Sequence, residues 1–123
     1  MRILPDSHAL LWWVKGSERL SRHALDLLED DGNPLLFSVV TTWELGIKHA
    51  IGKLRDLGDF DLIEETDALL LPITHAHAEA AARLPLHHRD PFDRMLIAQA
   101  QVEDAVILTA DREFAAYDVR TAW

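Results

Sequence analysis

The feature that most limits how this chain can fold is an alternation of short apolar runs with stretches of helical spacing. Leu35-Leu36-Phe37-Ser38-Val39-Val40 and Val106-Ile107-Leu108-Thr109 lack the in-and-out pattern of a strand with one wet face. Each is therefore expected to be a strand buried on both sides. Arg2-Ile3-Leu4 is a third short run, Leu69 to Ile73 a fourth with Pro72 marking an edge, and a last one lies near Val119. Between them, helical spacing covers residues 8–14, 21–30, 75–84 and 90–103, with Ser21 and Asp90 as caps, Gly32 as a stop and Pro91 as an opening residue. Trp43, Ile47, Ala50, Ile51 and Leu54 give a further helix after the threonine pair Thr41-Thr42. Strands alternating with helices predict an α/β fold, a mostly parallel central sheet flanked by helices on both faces. At 123 residues the chain makes one domain.

Composition narrows the chemistry. There is no cysteine, so neither a disulfide framework nor a thiolate metal site is available. No apolar run approaches the length that crosses a bilayer, and the start has no signal-peptide layout; the expectation is a cytoplasmic protein without a membrane partner. The net charge is −9, from 12 basic and 21 acidic residues. Nine acids in two runs supply all of it: Glu29, Asp30 and Asp31, then Asp56, Asp59, Asp61, Glu64, Glu65 and Asp67. The second run reads as an exposed helix. Elsewhere the charges balance, and nine of the 12 bases are arginine, whose planar fork suits phosphate. A broadly basic, non-specific nucleic-acid binder is excluded; a specific one is not.

Four acids fall at the junctions where strands hand over to helices: Asp6, Glu44, Asp93 and Asp111. In a parallel sheet all such junctions lie at one edge, where ligands bind. Helix capping is an equally good explanation for each acid alone, since Thr41-Thr42-Trp43-Glu44 fits a capping box and Asp90-Pro91-Phe92-Asp93 a cap, N1 proline and N3 acid. Two observations favour a site. Asp93 shares a helix face with Ile97 and Ala100, and four acids exceed what capping requires. Clustered carboxylates repel unless a cation lies among them, and all-oxygen donors select Mg²⁺ or Mn²⁺. Lys48 pairs with Glu44 at i, i+4 or else meets phosphate beside the metal.

The ordered set of Ile3-Leu4-Pro5-Asp6-Ser7-His8-Ala9-Leu10-Leu11-Trp12-Trp13, Thr42-Trp43-Glu44-Leu45, Leu84-Pro85-Leu86-His87-His88-Arg89-Asp90-Pro91-Phe92-Asp93-Arg94, Leu96-Ile97-Ala98-Gln99-Ala100 and Leu108-Thr109-Ala110-Asp111 resembles the PIN-domain family. More narrowly it resembles VapC ribonuclease toxins of type II toxin–antitoxin pairs. The resemblance spans nearly the whole chain. It implies a metal-dependent endoribonuclease whose acid quartet maps onto Asp6, Glu44, Asp93 and Asp111, with Asp6 and Asp93 as principal ligands. Ser7 and Asp90 are then supporting residues, the latter as a helix cap. Pro5 departs from the family pattern, where an aliphatic strand residue is commoner, and removes a ladder donor just before Asp6.

The resemblance further implies an RNA substrate, a VapB-like antitoxin covering the acidic cleft and self-pairing of the toxin. Lys48, Arg89, Arg94 and Arg112 flank the quartet and are candidate phosphate contacts, with a solvated surface base as the plain alternative. His75 and His77 are spaced badly for a shared metal, and His87 and His88 read as loop or RNA-proximal groups, with a structural role ahead of ligation. One of Trp12 and Trp13 is expected in the core and the other at an interface. Two other functions compete: a PIN-like module that binds without cleaving, and a Mg²⁺-binding receiver-type signalling domain. The receiver reading lacks its adjacent acidic pair, since Asp6 is followed by Ser7 and His8.

Overall fold

A computed structural model of the chain describes residues 1–53 and 66–123. Strand β1 (Arg2–Pro5) is central: it pairs in parallel with β4 (Ala105–Leu108), Arg2 opposite Ala105 and Pro5 opposite Leu108. Strand β4 pairs in parallel with β5 (Arg120–Ala122). On the other side β2 (Leu36–Ser38) pairs in parallel with β3 (Leu69–Leu71), and an Ile3–Leu35 bridge joins this pair to β1. The described strands thus run in the order β3-β2-β1-β4-β5, all parallel.

Successive residues of the central strands feed opposite faces. Leu4 and Ile107 pack with Leu84, Leu96, Ile97 and Phe114 on one side. Ile3, Val106 and Leu108 pack with Ala9, Ala24, Leu27 and Leu28 on the other. This period of two, apolar at both phases, is why the runs carry no polar alternation. Helices α1 (Ser7–Val14) and α2 (Arg22–Glu29) cover the second face; α4 (His75–Arg83) and α5 (Pro91–Glu103) cover the first. The predicted three-layer α/β architecture is what forms. Trp13 packs edge-on against the buried Phe37, while Trp12 stacks on His8 and meets Trp123 near the surface.

One boundary differs from the sequence reading, and it bears on the site. The strand expected to reach Val40 stops at Ser38, because the Ser38 hydroxyl accepts from the Val40 N–H at 3.1 Å and starts helix α3 (Val39–Ala50). The same hydroxyl donates to the Gln99 side-chain oxygen at 2.5 Å, locking the junction onto α5. Capping and burial override the strand propensity of two valines. The Thr41–Glu44 capping box therefore does not exist, and Glu44 lies in the second turn of α3. Pro5 does no harm. The Asp6 N–H continues the ladder to the Leu108 carbonyl at 3.0 Å, and alternation turns the missing donor toward the side where Ile3 bonds Pro34. Leu54 and nearly all of the acidic run expected as an exposed helix lie outside the described residues.

Candidate metal centre

In the order β3-β2-β1-β4-β5 the chain moves from β1 toward β2 but later enters β4 on the opposite side. The carboxyl ends of β1 and β4 therefore flank a topological switch point, the usual position of a ligand crevice in such sheets. Asp6 leaves β1 there, and Thr109 and Asp111 leave β4.

Asp6 is 6% exposed and caps α1: Oδ1 accepts the Ala9 N–H at 2.8 Å, and Oδ2 accepts the Thr109 hydroxyl at 2.6 Å. Burial raises its pKa, more than those hydrogen bonds and nearby His8 lower it, and the charge of Asp111 adds to the rise. Ser7 is buried beside it in the first turn of α1. The Thr109 hydroxyl also accepts the Asp111 N–H at 3.0 Å, so one threonine ties the two acids to each other. Asp111 in turn caps a short 3₁₀ helix (Arg112–Ala116), accepting the Glu113 N–H at 2.9 Å.

Glu44 caps nothing. It is 5% exposed, its Oε2 receives Lys48 at 3.2 Å, and its Oε1 is buried without a hydrogen-bond partner among the described residues. An orphaned buried carboxylate oxygen costs roughly 1–3 kcal/mol or more and calls for a function. Helix α3 meets the start of α5 through an edge-on contact of Trp43 with Phe92, ring centres 5.1 Å apart.

Asp93 sits at N3 of α5, where Asp90 rather than Asp93 is the cap, accepting the N–H groups of Phe92 at 2.8 Å and Asp93 at 3.2 Å. Burial pushes the Asp93 carboxyl up to about 6, with repulsion from Asp90 and Glu44 outweighing the help of its bond to His88. That bond, His88 Nε2 to Asp93 Oδ2, is 2.7 Å long. The other imidazole nitrogen, Nδ1, lies 3.5 Å from Glu113 Oε2. Burial alone would lower the His88 pKa, but the bond to Asp93 and the charges of Asp93, Glu113 and Asp90 raise it.

The four sequence-predicted acids thus share one edge. Asp6 interacts with Asp111, Asp93 with Glu44, and His88 spans from Asp93 to the Asp111–Glu113 turn. Asp6 and Glu44 are buried, Asp93 is half-buried and Asp111 is exposed. All four offer oxygen donors of the kind a hard divalent cation takes, whereas the group whose ligand atoms lie within 4.8 Å of one another among the described residues is His88, Asp111 and Glu113.

The basic residues divide. Arg89 and Arg112 are exposed and have no ion-pair partner among the described residues. Lys48 is held by Glu44. Arg94 is a correction to the phosphate-contact expectation. Its guanidinium donates to the carbonyls of Ala81, Leu84 and Pro85 at 3.1, 3.0 and 2.8 Å, and its Nη1 also reaches the His88 carbonyl and the Tyr117 hydroxyl. Those carbonyls belong to the end of α4 and the loop after it, so both terminal nitrogens of Arg94 are engaged in fastening that loop.

The sequence reading gave His88 no part in the acid site and did not single out Glu113. The available signal was proximity: His88 is two residues before a strong N-cap, and Glu113 two residues after an acid at a strand end. His77, by contrast, is structural. It is wholly buried, forms a capping box with Thr74 and bonds Glu103 at 3.1 Å.

The PIN domain family model matches residues 3–120. Among curated protein sequences none matches the chain. Solved structures do. VapBC2 from Rickettsia felis, bound to a DNA fragment from its promoter, is similar with TM-score 0.76 and 16% identity over 100% of this chain and 99% of that one. A toxin–antitoxin complex from Klebsiella pneumoniae gives 0.69 and 20% over 98% and 96%. VapC20 from Mycobacterium tuberculosis, a sarcin-ricin loop cleaving toxin, gives 0.68 and 16% over 96% and 98%. At these identities the structures speak for the fold, and the family match over almost the entire sequence carries the assignment: this chain belongs to the PIN domain family.

Proposed function

We propose that this protein is a VapC-type toxin, a divalent-metal-dependent endoribonuclease that hydrolyses RNA phosphodiester bonds and is held in check by a VapB-like antitoxin. The observation that carries the reading is the buried, unpartnered Oε1 of Glu44, on an element that has no capping use for it, in the same acid cluster as Asp93. Asp6, Glu44, Asp93 and Asp111 hold the ion, Mg²⁺ or Mn²⁺. When bound there, such an ion would supply Lewis acidity for activating water and positive charge to offset that of the scissile phosphate.

The chain's own residues do the rest. Thr109 and the Ala9 N–H fix both oxygens of Asp6 and leave each with further acceptor capacity. Lys48 orients Glu44 by holding Oε2, which leaves Oε1 as the donor. Asp90 sets the first turn of α5, and with it the position of Asp93. Arg89 and Arg112, both exposed, receive the RNA backbone. Trp43 and Ile47 on α3 and Ile51 at its C-cap are exposed apolar residues at helical spacing, which supports a protein partner on this face. The toxin pairs with itself.

The test is cleavage of a structured RNA by antitoxin-free protein, with and without Mg²⁺, beside Glu44→Gln and Asp6→Asn. Turnover that needs Mg²⁺ and is lost in both variants is expected. Metal-independent cleavage, or none by the parent protein, overturns the reading; a monomer at micromolar concentration overturns the self-pairing.

A further inference from the structure

We propose that the Tyr117 hydroxyl is a positioning group for the acid centre: it sets the first turn of α5, which carries Asp93, against the turn that carries Asp111. The inference rests on the metal-dependent reading above. The four acids fall into two halves. Asp6 and Asp111 are joined by Thr109, whose hydroxyl donates to Asp6 at 2.6 Å and accepts the Asp111 N–H at 3.0 Å. Glu44 and Asp93 lie on α3 and α5, which are joined by the Ser38–Gln99 hydrogen bond and the Trp43–Phe92 ring contact. An ion held by both halves needs them at a fixed spacing, since Mg²⁺ demands near-ideal octahedral geometry at about 2.0–2.1 Å. Packing of Leu96 and Ile97 against Ile107 brings the halves together, but apolar contact is non-directional.

Tyr117 supplies the direction. Its backbone belongs to the Asp111 side: Asp111 caps the 3₁₀ helix, and the Tyr117 N–H closes that helix by donating to the Phe114 carbonyl at 3.1 Å. Its phenol belongs to the other side. The hydroxyl accepts the His88 N–H at 2.8 Å and an Arg94 N–H at 3.3 Å, and it donates to the Pro85 carbonyl at 2.9 Å. The loop held in this way runs directly into the Asp90 cap and Asp93. Arg94 fastens the same loop, yet it sits on α5 and so adds no link to the Asp111 half. A second contact across the gap, His88 Nδ1 to Glu113 Oε2 at 3.5 Å, is too long for a good hydrogen bond. Core packing explains the buried Tyr117 ring, and phenylalanine would serve it equally. The hydroxyl is what packing leaves unexplained.

The test compares the parent with Tyr117→Phe and with Ser21→Ala, which removes the cap of α2, a helix that carries none of the acids. Metal-stripped full-length proteins are titrated with Mn²⁺, the free ion being read by electron paramagnetic resonance. RNA cleavage is followed over substrate concentration at saturating Mg²⁺. Tyr117→Phe should bind Mn²⁺ about tenfold more weakly and lose about tenfold in kcat, with KM within about threefold because the phenol is buried away from RNA. Ser21→Ala should melt at a lower temperature and match the parent in both readouts. Mn²⁺ affinity of Tyr117→Phe within about threefold of the parent overturns the proposal; so does an equal loss in Ser21→Ala, which makes stability the cause. A parent that binds Mn²⁺ but cleaves no RNA ends the nuclease reading and leaves the Mn²⁺ comparison standing, whereas one that binds no Mn²⁺ sinks both. Amide exchange in the parent needs no variant. The His88 N–H should exchange far more slowly than that of its exposed neighbour Arg89, and equal rates show that the phenol holds nothing.

Discussion

Replacing Asp93 with asparagine should make the metal-free protein more stable at neutral pH. The folded protein holds a proton on Asp93 up to about 6, against an ordinary value of 3.8. Between those pH values the folded state binds more protons than the unfolded chain, so stability falls as pH rises through the window. At 1.36 kcal/mol per unit, the loss above the window approaches about 3 kcal/mol. Asparagine has nearly the same shape and still accepts from His88 Nε2, but it has no charge to bury. Part of the gain is returned because His88 works in the opposite direction. Its raised pKa contributes stability that is complete below 6.5 and fades as pH climbs past the folded value, and Asp93 is a main cause of that rise. The net expectation is a gain of roughly 1–3 kcal/mol at pH 7.5 that vanishes near pH 4. Urea melts in EDTA at pH 4, 5.5 and 7.5 measure it directly. A variant less stable than its parent by 1 kcal/mol at pH 7.5, or one whose gain is the same at pH 4, refutes the claim that a repulsive, half-buried charge is being removed.

Asp6→Asn should abolish Mg²⁺-dependent cleavage, at least 100-fold in initial rate, yet melt within about 1 kcal/mol of the parent. Its Oδ1 still accepts from Ala9, and its amide can donate to the Thr109 hydroxyl. Arg94→Lys should cost about 2–4 kcal/mol in urea unfolding and leave the affinity of a catalytically dead background for RNA unchanged, since the three α4-end carbonyls lose a fork that a point charge cannot replace. Ser38→Ala should cost about 2–3 kcal/mol by the same assay, losing the α3 cap and leaving the Gln99 oxygen without its donor.

What sequence pattern could reveal here was whatever depends on period and punctuation. The doubly buried runs in β1 and β4, the Ser21 and Asp90 caps and the edge position of the strand before Pro72 all follow from local rules. The start of α3 did not. Val39 and Val40 read as strand because the decisive interaction, Ser38 with Gln99, joins residues 61 apart in the chain. The error had a useful consequence: with the capping box gone, nothing local accounts for the burial of Glu44. Arg94 was misread for a related reason. An arginine next to an aspartate in a helix looks solvent-facing until the carbonyls of a preceding helix are folded over it. His88 was missed because a histidine's role depends on what faces each ring nitrogen, and that is fixed only in three dimensions.

Capping and metal ligation need not compete for an acid. An ionised carboxylate has about four lone-pair positions, and a cap uses one. Asp6 and Asp111 cap helices through a single oxygen contact each, and that contact fixes the direction in which the remaining lone pairs point. Glu44 and Asp93 are spared the task by Ser38 and Asp90 and are free to be buried at a cost. Two acids are thus aimed by the backbone and two are strained by their surroundings. On the proposed reading, these four acids would offer a cation donors oriented by the fold, and its charge would offset their mutual repulsion. It follows that binding the ion should stabilise this protein more than its contacts alone suggest, and that the surplus should shrink in any variant that has already lost one of the charges.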